Sequence, residues 1–248
     1  MASRLRITGV GLIIVGIVAL LAAGYAYMQV QSGQDALKGF SAAQNVTLSY
    51  NEDGDLIDRG STEEATAILA LLEDTWHWPV SQGDLNPNDP VTNTATEYMY
   101  QMATIAHHTL TGTQTVVLTE PVEWDGDGDG TVAADAPTVA PGEWDPSTAG
   151  QDAIFQAGVY QVPINNRYWT GFNRLHPLDG PAREQAWNGT VHGLFAELGV
   201  GATTHSSLQL ALGVAAVTAL LGLGFLIGGA GLLWTGMAKK REETGTVA

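Results

Sequence analysis

Asp125-Gly-Asp127-Gly-Asp129-Gly130 sets three carboxylates at alternate positions with glycine between them. Short acidic side chains at that spacing converge on a hard cation from one side. The run reproduces the first half of a calcium loop: acids at positions 1, 3 and 5, the turn-forming Gly130 at 6, Thr131 at 7, where a backbone carbonyl is the usual ligand, and apolar Val132 at 8. The pattern departs at position 12, where Ala136 stands in place of a bidentate glutamate and Asp135 falls one place early. The expected cofactor is a Ca²⁺ ion that orders a lone loop through Asp125, Asp127, Asp129 and Thr131. A flexible acidic turn is the alternative.

All six histidines, His77, His107, His108, His176, His192 and His205, fall between the two apolar ends of the chain. None stands in a HExxH or HxH spacing, and without cysteine the zinc-finger types are absent. Glu97, Gln101 and His108 share one helical face by steps of four and seven. A metal site built on His107 or His108 with distant His and Glu is one reading; separate surface or core histidines are the other. There is no G-x-S-x-G, no P-loop and no G-x-G-x-x-G after a strand. Two Glu-Trp-Asp copies, 123–125 and 143–145, put Trp124 and Trp144 in polar surroundings. They are read either as exposed anchors for a partner or a carbohydrate, or as rings folded back over a small core.

These residues need elements to position them, and the distribution of charge shows where those lie. Ile7 to Met28 is a run of 22 residues without a charge, and Leu208 to Met237 is longer and equally uncharged. Each is long enough, as a helix, to cross a hydrocarbon layer of roughly 30 Å. Arg4 and Arg6 flank the first run, and Lys239, Lys240 and Arg241 follow the second, with Trp234 at an interfacial depth. By the positive-inside rule both termini are cytoplasmic. The segment between, 29–207, holds 24 of the 26 acidic residues and five of the ten basic ones, a charge of −19 within a net −16. Ten scattered basic residues exclude a nucleic-acid binder, which needs a basic patch. A cleaved signal peptide ending near Gly24-Tyr25-Ala26 is the rival reading of the first run.

Small residues recur every seven positions in both runs: Gly9, Gly16 and Ala23 in the first, Ala215, Gly222, Gly229 and Gly236 in the second, with Gly224 and Gly228 as a GxxxG pair. Seven residues is close to two helical turns, so each set forms a narrow stripe that another helix can approach. Gly222 and Gly229 are therefore expected at an interaction face, either within an antiparallel hairpin or toward a partner. No ionisable residue lies within either run, which argues against an ion pathway in this chain alone.

Between the runs, helical signals dominate. Residues 29–43 continue the first run as a stem. Ser61-Thr-Glu-Glu64 is a capping box opening a helix that ends before Pro79, and Thr94-Ala-Thr-Glu97 opens another to about Leu110. Ser147 is expected to cap a short helix through Ala153, Ile154 and Ala157. Asp179-Gly-Pro181 starts one whose apolar face is Trp187, Val191, Leu194, Phe195 and Leu198, ending at Gly199 and Gly201. Gln114 to Leu118 is the clearest strand, and 120–147 reads as a long Asp/Gly/Pro-rich loop or an irregular excursion from the helical body. The segment carries no cysteine, so its own core must hold it, and Asn45-Val-Thr and Asn188-Gly-Thr matter only in a eukaryotic secretory pathway.

The expected fold is mainly α: a two-helix transmembrane hairpin, N-in and C-in, with a mainly helical extracytoplasmic domain inserted between the spans. Its parts are a cytoplasmic N-terminus 1–6, spans 7–28 and 208–237, the acidic domain 29–207 and a cytoplasmic tail 238–248. Ala103-Thr-Ile-Ala-His-His-Thr-Leu110 and the glycine-rich spans resemble actinobacterial two-span envelope proteins that often carry a label borrowed from aromatic ring-opening dioxygenases. The resemblance implies an envelope protein of unassigned activity, and no residue pattern supports the borrowed label. The expected function is a non-catalytic accessory or structural subunit in the plasma membrane. Its partners are the lipid bilayer and another membrane protein or a second copy. The alternatives are a calcium-dependent surface binding module and a His-ligated metalloenzyme.

Overall fold

The structure is a computed structural model that describes residues 2–245; Met1 and residues 246–248 of the expected tail lie outside it. In chain order the elements are helix α1 (Ala2–Ala43), the hairpin strands β1 (Ser49–Tyr50) and β2 (Leu56–Ile57), and helix α2 (Thr62–Ala70) with a π-helical turn (Leu71–Thr75). Helix α3 (Ala95–Leu110) follows, then strands β3 (Thr113–Leu118), β4 (Val122–Trp124), β5 (Thr138–Val139) and β6 (Gly142–Glu143) and a 3-10 turn (Pro146–Thr148). Strands β7 (Ala153–Phe155) and β8 (Gly158–Pro163) lead to helices α4 (Asp179–Ala186) and α5 (Gly189–Gly245). The chain as a whole is mainly helical. It divides into two compact units: Met1–Thr47 with Val91–Ala95 and Thr203–Ala248, and Leu48–Pro90 with Thr96–Ala202.

The first unit is built on α1 and the second part of α5, both long and apolar enough to cross a membrane. Their buried positions repeat every seven residues: Ala2, Gly9, Gly16, Ala23 and Val30 on α1, and Ala215, Gly222, Gly229 and Gly236 on α5. The stripes face each other in antiparallel register. A Cβ at Gly229 would stand 2.6 Å from the Gly9 carbonyl oxygen, and one at Gly16 would stand 2.7 Å from that of Gly222. The backbones touch because no side chain intervenes, the packing mode that membrane helices use where burial in lipid drives nothing. Around this seam the apolar side chains point outward: Leu21, Leu220 and Ile227 are each about 70% exposed. α1 stops where Asn45 adopts a left-handed conformation, φ 55°, and the Val46 amide bonds back to the Ser41 carbonyl.

In the second unit, Ser61 caps α2 by accepting from the Glu64 amide at 3.2 Å, as the capping box predicts, and the helix closes through the π-turn before Pro79. α3 and β3 fall on their expected spans. Three expectations fail. Residues 153–157 are not helical: Asp145, not Ser147, caps a single 3-10 turn, and Ala153–Phe155 is a strand with Ala153 and Phe155 buried and Ile154 half-buried. Residues 120–147 are not one long loop, because β4 pairs antiparallel with β7, β5 runs parallel to β7, and β6 runs parallel to β8. This yields two three-stranded sheets, ordered β3-β8-β6 and β4-β7-β5. Strands of two and three residues carry no periodic signal, and their parallel partners lie too far along the chain to be read from local sequence. Finally, the helix expected from Asp179 breaks at Trp187. Asn188 caps a new one by accepting from the Thr190 and Val191 amides, and α5 then passes through Gly199 and Gly201 without stopping. Gly201 is there for space, since a Cβ would sit 2.6 Å from the Tyr98 ring.

Candidate functional site

The Asp-Gly run leaves β4 and folds into a compact loop. Both carboxylate oxygens of Asp125 accept backbone amides, from Gly128 and Gly130, each at 2.7 Å, and both glycines have positive φ. Asp127 accepts from the Asp129 amide at 3.0 Å. Asp125 and Asp127 offer ligand atoms within 4.8 Å of one another together with a residue that the spacing did not indicate, Asp152, at the start of β7. Oxygens bound at ~2.3–2.6 Å to one calcium ion lie within that spread. Asp129 stands apart from this trio, its Oδ1 accepting from the Thr131 amide and hydroxyl at 2.8 Å. Asp152 closes the loop across 26 residues by accepting from Gly126 and spans 19 to accept from Ala133. Those amides, Ala133 first, lower its pKa and keep it ionised. No spacing rule links Asp152 to Asp125; the pairing of β4 with β7 does.

Of the two readings of the Glu-Trp-Asp copies, the rings folded back over a small core are the one the structure shows. Trp144 is 3% exposed and belongs to the core with Val116, Phe155, Tyr160, Val162 and Leu178, so it is not a surface anchor. Trp124 is half-buried against the same cluster and donates its indole N–H to the Ala149 carbonyl at 3.0 Å. Both rings close on His176: Trp144 stacks at 4.6 Å between centroids and Trp124 meets it edge-on at 4.9 Å. Strand ends at β4 and β6 bring the rings inward, and an apolar surface between two small sheets needs large side chains to fill it.

His176 Nδ1 accepts from the Leu178 and Asp179 amides, so the ring proton of the neutral imidazole resides on Nε2, which is buried without a partner. Burial, and then the nearby Arg167 charge, bring its pKa down to about 4. Arg167 itself pairs with buried Asp179 at 2.7 Å. The unfolded chain takes up this proton near pH 6.5 and the folded protein only near 4, so stability is full above 6.5 and falls as pH drops through that window. The expected loss between pH 7 and 5 is about 2 kcal/mol. Urea unfolding of the full chain in detergent, followed by Trp fluorescence, measures it. An unchanged midpoint between those pH values would refute the assignment.

His107 and His108 do not share a ligand set. His107 Nε2 lies 2.9 Å from Glu64 Oε2 and His108 Nε2 lies 2.7 Å from Asp58 Oδ2, while the two rings meet edge-on at 5.5 Å. Among the described residues, Asp125, Asp127 and Asp152 form a group of three His, Cys, Asp or Glu side chains suited to a metal, and no such group contains a histidine. His107 also borders an open groove of about 300 Å³ with Asp74, Thr75, Thr111 and Asn166. Gly222 and Gly229, expected at an interaction face, contact Gly16 and Gly9 of the same chain, whereas nothing lies within 4 Å of a Cβ built at Gly224 or Gly228. Compared with family models, with curated proteins and with solved structures, the chain matches none.

Proposed function

We propose that this protein is an integral membrane protein with two spans, 7–28 and 208–237, that presents the acidic segment 29–207 outside the cytoplasm as an accessory or structural subunit. The observation that carries this reading is the first unit's inversion of a soluble core: glycine backbones inside, large aliphatic side chains outside. Such a surface suits a lipid environment. Basic residues at the outer ends of both helices support cytoplasmic termini, and the −19 charge supports the opposite side for the rest. The resemblance to actinobacterial two-span envelope proteins agrees with this placement. Trp144 is buried and offers nothing to a partner, so the partner surface rests on the charged exterior and the lipid-facing helices. Isolation in mild detergent after chemical crosslinking is expected to yield a second copy or another membrane protein; a lone monomer refutes the accessory role.

A calcium-dependent surface module is the second reading, favoured by Asp152 supplying the carboxylate that position 12 lacks. Calorimetry on the full chain in detergent is expected to show binding of Ca²⁺. Asp152→Ala and Asp127→Ala each weaken it at least about tenfold, as loss of a carboxylate ligand does. Asp129→Ala changes it little, because that carboxylate lies outside the group formed by Asp125, Asp127 and Asp152. No heat at millimolar Ca²⁺ would end this reading.

A further inference from the structure

The hairpin β1–β2 and helix α3 bring four buried polar atoms without a hydrogen-bond partner into one neighbourhood: Tyr50 Oη, Asp58 Oδ2, Tyr100 Oη and His108 Nε2. The local geometry explains why they meet. Tyr50 pairs directly with Leu56, so the two side chains share a face, and Asp58, two residues beyond Leu56, continues it. Tyr50 and Leu56 pack in one apolar cluster with Tyr100 and Ala103 of α3. On α3, Tyr100, Thr104 and His108 follow at steps of four, one above the other. His108 Nε2 stands 2.7 Å from Asp58 Oδ2, yet neither atom is satisfied by a hydrogen bond. Two donors bound ~2.1 Å from one cation at about a right angle lie roughly 3 Å apart, close to this spacing.

Leaving such groups buried without hydrogen bonds is costly, and chains rarely assemble four of them without an occupant. Asp58 and Tyr50 both lie close enough to Tyr100 for their charges to act on its phenol. Carboxylate and phenolate are hard oxygen donors, imidazole suits iron, and the absence of sulfur ligands disfavours Cu(I).

We propose that Asp58, His108, Tyr100 and Tyr50 form a binding site for a ferric ion. One carboxylate and two phenolates neutralise the three positive charges, the imidazole binds as a neutral ligand, and the two phenolic protons leave to solvent. Asp58 and His108 side chains are 13% and 21% exposed, which gives the ion an entrance and leaves a coordination position open to water. His107, held by Glu64, stays outside the set. The proposal is independent of the accessory role and of the calcium loop.

The test is titration of the full-length protein in mild detergent with ferric nitrilotriacetate, followed by desalting, iron analysis and visible spectroscopy. One equivalent of retained iron with a phenolate-to-iron charge-transfer band is expected. Tyr100→Phe, which keeps the ring in its packing, should remove most of the band. Asp58→Asn and His108→Gln should weaken retention at least about tenfold, and His107→Gln should leave it unchanged. Circular dichroism melting of each variant verifies its fold, and the wild-type titration needs no variant. No retained iron, retained iron without the band, or a band undiminished in the Tyr50→Phe/Tyr100→Phe double variant overturns the proposal.

Discussion

Leucine in place of Gly16 or Gly229 is expected to separate the two apolar helices. At Gly229 even a Cβ would lie 2.6 Å from the Gly9 carbonyl and 2.8 Å from the Ile13 side chain, and at Gly16 it would meet the Gly222 carbonyl and Leu226. The atoms in the way are largely backbone, which cannot rotate aside, so the helices must move. Overpacking of this kind costs about 1–3 kcal/mol per site in a packed core. In lipid it also removes the close approach that holds the pair, because the hydrocarbon solvates separated helices as well as paired ones. The chain lacks cysteine, which makes the measurement direct. The register that sets Gly9 against Gly229 and Gly16 against Gly222 sets Ala23 opposite Ala215, and both alanines are buried. Oxidation of an Ala23→Cys/Ala215→Cys protein should give an internal disulfide efficiently, and Gly16→Leu or Gly229→Leu in that background should reduce its yield severalfold. Gly224→Leu and Gly228→Leu, with open space at both positions, should not. Crosslinking that survives Gly229→Leu would show that the seam is not the contact holding the hairpin.

Trp144→Ala is the second large effect. Its ring fills the space between the two small sheets, against Phe155 at 6.4 Å and His176 at 4.6 Å between centroids. Truncating a buried Trp to Ala removes its transfer energy and leaves a cavity, about 3–5 kcal/mol together. That is a large part of the ~5–15 kcal/mol available to a domain. Denaturant unfolding of the full chain in detergent should show the loss, with a smaller one for half-buried Trp124→Ala. A surface anchor would cost under about 0.5 kcal/mol on truncation, so a value that small at Trp144 would contradict its core position.

The sites were legible to different depths for reasons visible in particular residues. Asp125 and Asp127 belong to a local turn whose hydrogen bonds span five residues or fewer, and sequence spacing captures such a turn. Asp152 joins them through strand pairing, which no local pattern encodes. Asp129 matches the motif and still faces Thr131, because an alternate position does not fix where a side chain turns. His108 was visible through its helical face with Glu97 and Gln101, whereas Asp58, its partner across 50 residues, sits in a turn ahead of a capping box with nothing to mark it. Trp144 was open to two readings because its neighbours in sequence are Glu143 and Asp145; its neighbours in space, Phe155, Tyr160 and His176, decide for the core.

Sequence alone determined what depends on runs and periods. Two uncharged stretches, the seven-residue glycine stripes, the helices α2 and α3 and the charge asymmetry are all statements about residues close together along the chain. A helix or a span is decided by such local sums. Only the tertiary structure decided which stripe meets which, that residues 113–163 fold as two three-stranded sheets, that the Trp rings turn inward, that Asp152 joins Asp125 and Asp127, and that Asp58 pairs with His108. Each of these rests on contacts between residues distant in sequence, whose energies appear only when burial forces them together.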